Sequence, residues 1–315
     1  TITFPYTLYK GIYQIEPASI YSISNNSKID SMMYWKPYEN YKYKSIKDAA
    51  KDIQIELKNY LSKVTERTSN IAQFISGGED SRVLSALLYT HKRNAFVFLD
   101  QFNREGKMAK RTADIYNADF KLYTRDKEHY VNILQNCSDL VGSGAQYHHA
   151  HTYGFHEKCK LNEYDAVFGG LFSDALLKGA RINKNRISNK LPLIGEFKNV
   201  KYNVLISENK LITNHTIEKL NTRRINHLNT IKNFRNESAE EWFELWPASM
   251  NKAIANLYTN RRLFKSYEPF LANEIVKISA SIPQKWKLNR RLFYYSSKEM
   301  LKPAKWIPHS DGRLP

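Results

Sequence analysis

Cysteine is nearly missing from this chain of 315 residues: only Cys137 and Cys159 occur. Two cysteines build neither a disulfide framework nor a Cys-rich zinc site. Long apolar runs are missing as well, since no uncharged stretch approaches the roughly 18 residues that a membrane span needs. Thr1 to Lys10 lacks the apolar centre of a signal peptide. There is no internal repeat and no low-complexity tract. The sequence starts at Thr1 without an initiator Met, so we expect it to be processed or cropped from something longer. An N-terminal Thr nucleophile would need a supporting site, and none is visible. What is present is enough to bury a core: 42% of residues are hydrophobic and 13% aromatic, which argues against disorder. The length suits one large domain or two ordinary ones. A soluble, cytoplasmic protein with no membrane partner is the expectation.

Charge is one-sided. Lys and Arg number 48 against 31 Asp and Glu, a net of +17. Surplus cations serve nucleic-acid partners, but 28 Asn and 21 Tyr beside abundant Lys and Ile also fit a compositional bias. The densest stretch, residues 181–240, holds 12 basic and 5 acidic residues.

Periodicity changes along the chain. Residues 6–35 alternate apolar and polar positions around turn signals, which predicts short strands or a hairpin. Ile46, Ala49, Ala50, Ile53, Leu57, Tyr60, Leu61 and Val64 fall on one helical stripe, and Ser45 with Asp48 suits its N-cap. From Ile71 the pattern becomes strand–helix repeats, with strands at 71–75, 95–99, 120–124 and 166–168. Such alternation predicts a parallel sheet covered on both faces, an α/β fold. After about Arg181 the strand signal fades and helical stripes dominate. The expected organisation is a β-rich linker over 1–45, an α/β core over 46–180 and a mostly helical C-terminal portion over 181–315.

One segment carries chemistry: Phe74-Ile75-Ser76-Gly77-Gly78-Glu79-Asp80-Ser81-Arg82, between a buried strand and a helix. Glycines let the backbone approach a ligand, and N–H groups at a helix start favour phosphate. Ser76 and Ser81 add hydroxyl donors. Asp80 would repel bare phosphate, so it points to Mg²⁺ between them. No Lys follows, which excludes the nucleoside-triphosphate loop ending in Gly-Lys-Ser/Thr.

The Ser-Gly-Gly-x-Asp-Ser string resembles the PP-loop of ATP pyrophosphatases, which cleave ATP to AMP. Asp165-Ala166-Val167-Phe168-Gly169-Gly170-Leu171-Phe172-Ser173-Asp174 resembles the second motif of asparagine synthetases. Glu268-Pro269-Phe270-Leu271 and Ser281-Ile282-Pro283 are similar to further segments of that family, and the early strands resemble its linker between glutaminase and synthetase domains. The resemblance implies a PP-loop/HUP-like, five-stranded parallel sheet with a helical C-terminal portion. It further implies that Ser76, Gly77, Gly78, Asp80 and Ser81 hold pyrophosphate and Mg²⁺, that Asp174 shares the metal, and that Phe74, Val97 and Gly170 border the adenosine. The implied activity is an ATP-dependent amide-forming ligase that adenylates a carboxylate and amidates it with ammonia or an amine. A glutaminase domain or partner would supply the ammonia, although the first cysteine here is Cys137. Alternatives are a PP-loop tRNA-modifying enzyme, which would use the basic charge, and a degenerate nucleotide-binding PP-loop protein.

Departures from the family's pattern fall on the acceptor side. Its Glu three residues before the metal-binding Asp is Leu171 here, and its Asp after Pro-Phe-Leu is Ala272. Its catalytic Lys has no clear counterpart, with Arg290 and Arg291 nearest to where it belongs.

Other residues read more plainly. His148, His151, His156 and Cys159 have metal-like spacing but no acidic neighbours to orient the rings, so surface histidines or a substrate-facing wall are the expectation. Glu105 follows the second strand at the ligand-bearing edge, or is a solvated loop acid. Glu79 and Arg82 suit a helix ion pair. Trp242, Trp246, Trp286 and Trp306 suit core or interlobe packing. The tail from Ile307 to Pro315 is turn-rich and is placed over the active site, with Arg313 near phosphate.

Overall fold

The computed structural model describes residues 2–25, 29–141, 146–185, 194–199, 203–207, 210–250 and 253–309. The chain divides into two compact units: one of Thr1–Lys44, Lys178–Lys252 and Ser279–Arg291, the other of Ser45–Leu177, Ala253–Ile278 and Leu292–Pro315.

The second unit holds the parallel sheet. Helix α1 (Ile46–Thr65) starts where Ser45 accepts a hydrogen bond from the Asp48 N–H and buries Ala49, Ala50, Ile53, Leu57 and Leu61. Then come β3 (Ile71–Phe74), α2 (Glu79–Leu87), β4 (Arg93–Leu99), α3 (Arg104–Ile115) and β5 (Asp119–Thr124). Strands β1 (Ser19–Ile23) and β2 (Ile29–Met33) form a separate antiparallel hairpin in the first unit. Short helices α4 (His129–Asn132) and α5 (Leu134–Val141) precede β6 (Ala166–Phe168) and α6 (Ser173–Leu177). The strands stand in the order β5-β4-β3-β6-β7, all parallel. Here β7 is Ser266–Tyr267. Two residues are too few to show a periodicity, and this strand after residue 181 was invisible in the sequence pattern.

Alternation sorts the sheet's faces. Ala95, Val97 and Leu99 of β4 pack with Ala109 and Ala113 of α3, while Phe96 packs with Phe155, Leu161 and Phe264 on the opposite face. Arg93 is buried, and its guanidinium donates to Gln73 Oε1 (2.6 Å) and to the carbonyls of Ser85 and Tyr116. It thereby joins β3, β4, α2 and the end of α3 from the first position of β4.

Helices α7 (Asn214–Lys232) and α8 (Ala239–Trp242) belong to the first unit; α9 (Ile254–Leu263) returns to the second; α10 (Asn273–Ala280) and α11 (Arg291–Ser297) follow. Much of the basic charge of residues 181–240 is consumed within this first unit. Arg181 meets Glu244 at 2.6 Å and Lys184 meets Glu196 at 2.9 Å. Lys198 donates to the Glu237 carbonyl. Arg223 lies 3.6 Å over the Tyr6 ring, and Arg235 is buried against Trp242. Of the tryptophans, Trp242 is buried but Trp306 is 79% exposed beside Lys305, so Trp306 is a surface ring rather than core.

Candidate functional site

The strand order runs outward in two directions from β3 and β6, so their carboxyl ends flank a switch point, where open α/β sheets bind ligands. The loops leaving these two strands are Ile75–Gly78 and Gly169–Phe172. They touch: a Cβ on Gly170 would lie 3.3 Å from the Asp80 Cβ.

The first loop is braced by its own hydroxyls. The Ser76 N–H donates to Ser81 Oγ (3.0 Å), the Gly78 N–H donates to Ser76 Oγ (3.2 Å), and Ser81 Oγ reaches the Ser76 carbonyl at 3.0 Å. Gly78 is the N-cap of α2 and has no side chain to cap it, so an anion can take the capping role. Arg82 goes well beyond a helix ion pair. It is buried and donates to the carbonyls of Gly77 (3.0 Å), Ile307 (2.8 Å) and Pro308 (2.5 Å). His309 Nε2 lies 3.7 Å from Glu79 Oε1. The C-terminal segment is thus fastened to the loop as far as His309; Arg313 lies outside the described residues.

A cavity of about 530 Å³ opens at these strand ends, within the ordinary size range of small-molecule sites. Phe74, Ser76, Asp80 and Ser81 line one part, Val97 and Leu99 of β4 another, and Gly169, Gly170 and Leu171 a third. Glu105, Arg125, His151, Thr152, Asn256, Asn260 and Glu268 complete the wall. Arg125 pairs with Asp100 at 2.5 Å, and Thr152 Oγ1 donates to Asn260 Oδ1 at 2.5 Å. Burial and the neighbouring His149, Arg125 and His148 lower the His151 pKa, favouring the neutral ring.

Glu268 stands apart from the other acids. It follows β7, is 2% exposed, and its Oε2 accepts from the Leu171 N–H at 2.8 Å. Its carboxylate lies over Gly169 where any Cβ would overlap it, which is why that position needs glycine. Burial pushes its pKa up to about 7, against the opposing pull of the Leu171 N–H and Arg261.

A family model for asparagine synthase matches residues 55–310. The chain belongs to the asparagine synthase family. This makes it a member of a family of PP-loop, ATP-dependent amidating ligases, and no glutaminase domain lies within these residues. Among solved structures, the NMN synthetase of Francisella tularensis shares 17% identity over 43% of this chain and 58% of its own, at a TM-score of 0.28. The match therefore spans under two thirds of that relative. The NH3-dependent NAD synthetase of Campylobacter jejuni shares 16% identity, covering 70% and 94% of the two chains at a TM-score of 0.30. The NAD+ synthetase of Burkholderia pseudomallei shares 13%, covering 85% and 93% at 0.29. No curated protein sequence matches the chain.

Within this asparagine synthase-family chain, Phe74, Ser76, Asp80, Ser81, Val97 and Gly170 line one cavity. Gly77 and Gly78 form the turn beneath it. Asp174 is exposed in the first turn of α6 and is not among the lining residues. Arg290 and Arg291 lie at the end of the first unit. Asn289 and Arg290 both have left-handed backbones (φ 53° and 57°), and Asn289 is clamped by Glu196. No three His, Cys, Asp or Glu side chains among the described residues gather into a metal cluster. Cys137 and Cys159 are core residues, and their thiols are pushed up to about 11 and about 12 by burial. Sequence reasoning missed Arg125, Asn256 and Glu268. Arg125 had a signal, directly after the strand 120–124 on its ligand-bearing edge. Glu268 also had one, as an acid placed against an apolar Pro-Phe-Leu.

The raised Glu268 pKa sets a pH dependence of stability. A folded pKa above the ordinary 4.5 means the folded chain holds this proton more tightly than the unfolded chain. That contribution is complete in acid and disappears as pH rises from 4.5 to about 7. Glu268→Gln, which never ionises, should therefore gain on the natural protein across this window, by about 3 kcal/mol at its upper end. Urea unfolding at both ends of the window measures it, and a constant difference between the proteins contradicts the expectation.

Proposed function

We propose that this chain activates a carboxylate as an acyl-adenylate, releasing pyrophosphate, and then amidates it with ammonia or an amine. The observation supporting this most directly is the Ser-Gly-Gly-x-Asp-Ser loop, which opens on the cavity at the switch point of a parallel sheet in an asparagine synthase-family chain. In this reading Ser76, Gly77, Gly78 and Ser81 receive the β,γ-pyrophosphate of ATP, replacing the loop's internal hydroxyl contacts with contacts to phosphate oxygens. Phe74, Val97 and Gly170 border the adenosine. The carboxylate oxygen attacks the α-phosphorus, and pyrophosphate leaves with the bonding electrons. The preorganised loop donors stabilise charge that builds on the leaving group.

Two carboxylates suit Mg²⁺, which takes one or two protein acids and completes its shell with substrate phosphates and water. Asp80 and Asp174 are those acids in this reading, and bound Mg²⁺ would supply positive charge beside the pyrophosphate. With Leu171 and Ala272 in place of family acids, aspartate is a poor fit, and a different carboxylate, on a sugar or peptide, is the substrate class.

Incubation with ATP, Mg²⁺ and a panel of carboxylates should yield AMP and pyrophosphate by chromatography. ADP and phosphate as products would refute the reading. Robust aspartate-dependent ATP–PPi exchange followed by asparagine formation would return the chain to ordinary asparagine synthesis.

A further inference from the structure

Two buried acceptor atoms in the wall of the cavity have no hydrogen-bond partner among the described residues: Glu268 Oε1 and Asn256 Oδ1. Burying such atoms unpaired is unfavourable, and more so for a charged group. One arrives from the end of β7 and the other from α9, and both residues line the same cavity. A nucleotide base or a sugar diol can also present paired donors, but it is neutral. A primary amine or ammonium offers two or three, and its positive charge offsets the buried carboxylate. Leu171, where the family has an acid, leaves that place apolar, yet its own N–H anchors Glu268 Oε2. A carboxylate is thus returned to the same corner of the cavity from another part of the chain.

We propose that Glu268, with Asn256, forms the subsite for the amine nucleophile and that Glu268 accepts its proton during amide formation. This rests on the acyl-adenylate reading above. A neutral amine attacks the carbonyl carbon and the new C–N bond forms from its lone pair. The C–O bond to AMP breaks with its electron pair leaving on phosphate oxygen, and the proton released from nitrogen passes to Glu268 Oε1. A carboxyl held near neutrality suits this transfer. The ionisable groups near it are Tyr60 of α1 and Arg261 of α9, while Asp174 of α6 is exposed.

Glu268→Gln keeps the shape and the acceptor for the Leu171 N–H, so folding is preserved. ATP–PPi exchange, which needs no amine, should persist in this variant, whereas amide formation from methylamine should fall by roughly 10²-fold or more and, at a constant concentration of neutral methylamine, lose its rise with pH. Parallel loss of both reactions, or unchanged amide formation, overturns the proposal. A second measurement needs no turnover. At pH 8, methylammonium chloride should raise the melting temperature of the natural protein above the effect of tetramethylammonium chloride, which has no N–H donor, and this difference should vanish in Glu268→Gln. Equal effects of both salts, or of both proteins, overturn the subsite. Absence of exchange with every acid would defeat the adenylation reading alone, since the thermal difference still reports the amine.

Discussion

Asp80→Asn should abolish Mg²⁺-dependent ATP–PPi exchange, by roughly 10²–10³-fold, the size of effect seen when one preorganised charge-stabilising group is removed from an active site. Asp80 sits in the first turn of α2, lines the cavity and packs its Cβ beside Gly170. Asn keeps that packing and removes only the charge, so the melting temperature should move little. In the proposed reaction, a cation beside the pyrophosphate would lose a protein ligand without the carboxylate, and the charge building on the leaving group would be less well neutralised. Asp174→Asn should act in the same direction. Asp174 is exposed in a short helix, so its replacement disturbs no core. Exchange measured against Mg²⁺ concentration decides both, and near-normal exchange in either variant removes that residue from the ligand set.

Lys287→Ala should destabilise the first unit by about 3–5 kcal/mol, because it strands a buried carboxylate. Lys287 and Glu241 are 0% and 1% exposed at their side chains and 2.6 Å apart. Ser279 Oγ accepts a further hydrogen bond from Lys287 at 3.0 Å, and Gln284 Nε2 donates to Glu241 at 3.2 Å. Burial lowers the Lys287 pKa while Glu241 opposes that shift. Replacing both partners together, as Lys287→Met with Glu241→Leu, should recover most of the loss, since apolar pairs fill such sites without desolvating charge. A double-mutant cycle by urea unfolding separates the two cases. A loss in the double variant equal to the sum of the losses from Lys287→Met and Glu241→Leu alone would show that the pair is not coupled.

Local chemistry made the scaffold readable in one dimension. The stripe from Ile46 to Val64 and the Ser45 cap became α1 because helix periodicity and capping depend on residues three or four apart. The apolar runs at 71–75, 95–99 and 166–168 became buried parallel strands because a strand covered on both faces has few polar positions, while 120–124 forms the half-exposed edge strand. The loop from Ser76 to Ser81 announced itself because its glycines, hydroxyls and acid lie within one turn of one another.

Other features had no such local trace. Phe172 holds a left-handed backbone (φ 71°) with its ring buried, a conformation that its neighbours in sequence do not demand. Arg82 looked like half of a surface ion pair, yet Ile307 and Pro308, 225 and 226 positions away, take its guanidinium. Lys287 and Arg235 counted toward a positive balance but are buried structural cations. Glu268 meets Leu171 across 97 positions.

The sequence by itself determined the parallel α/β scaffold, the first helix and the phosphate-type loop, since each is written in residues close enough to touch along the chain. Only the tertiary structure decided which charges are spent inside, where the C-terminal segment is fastened, and which buried carboxylate lines the cavity beside Leu171. Those outcomes depend on burial and on contacts between distant segments. A side chain's charge cost, hydrogen-bond partners and proton affinity exist only once the fold has set what surrounds it.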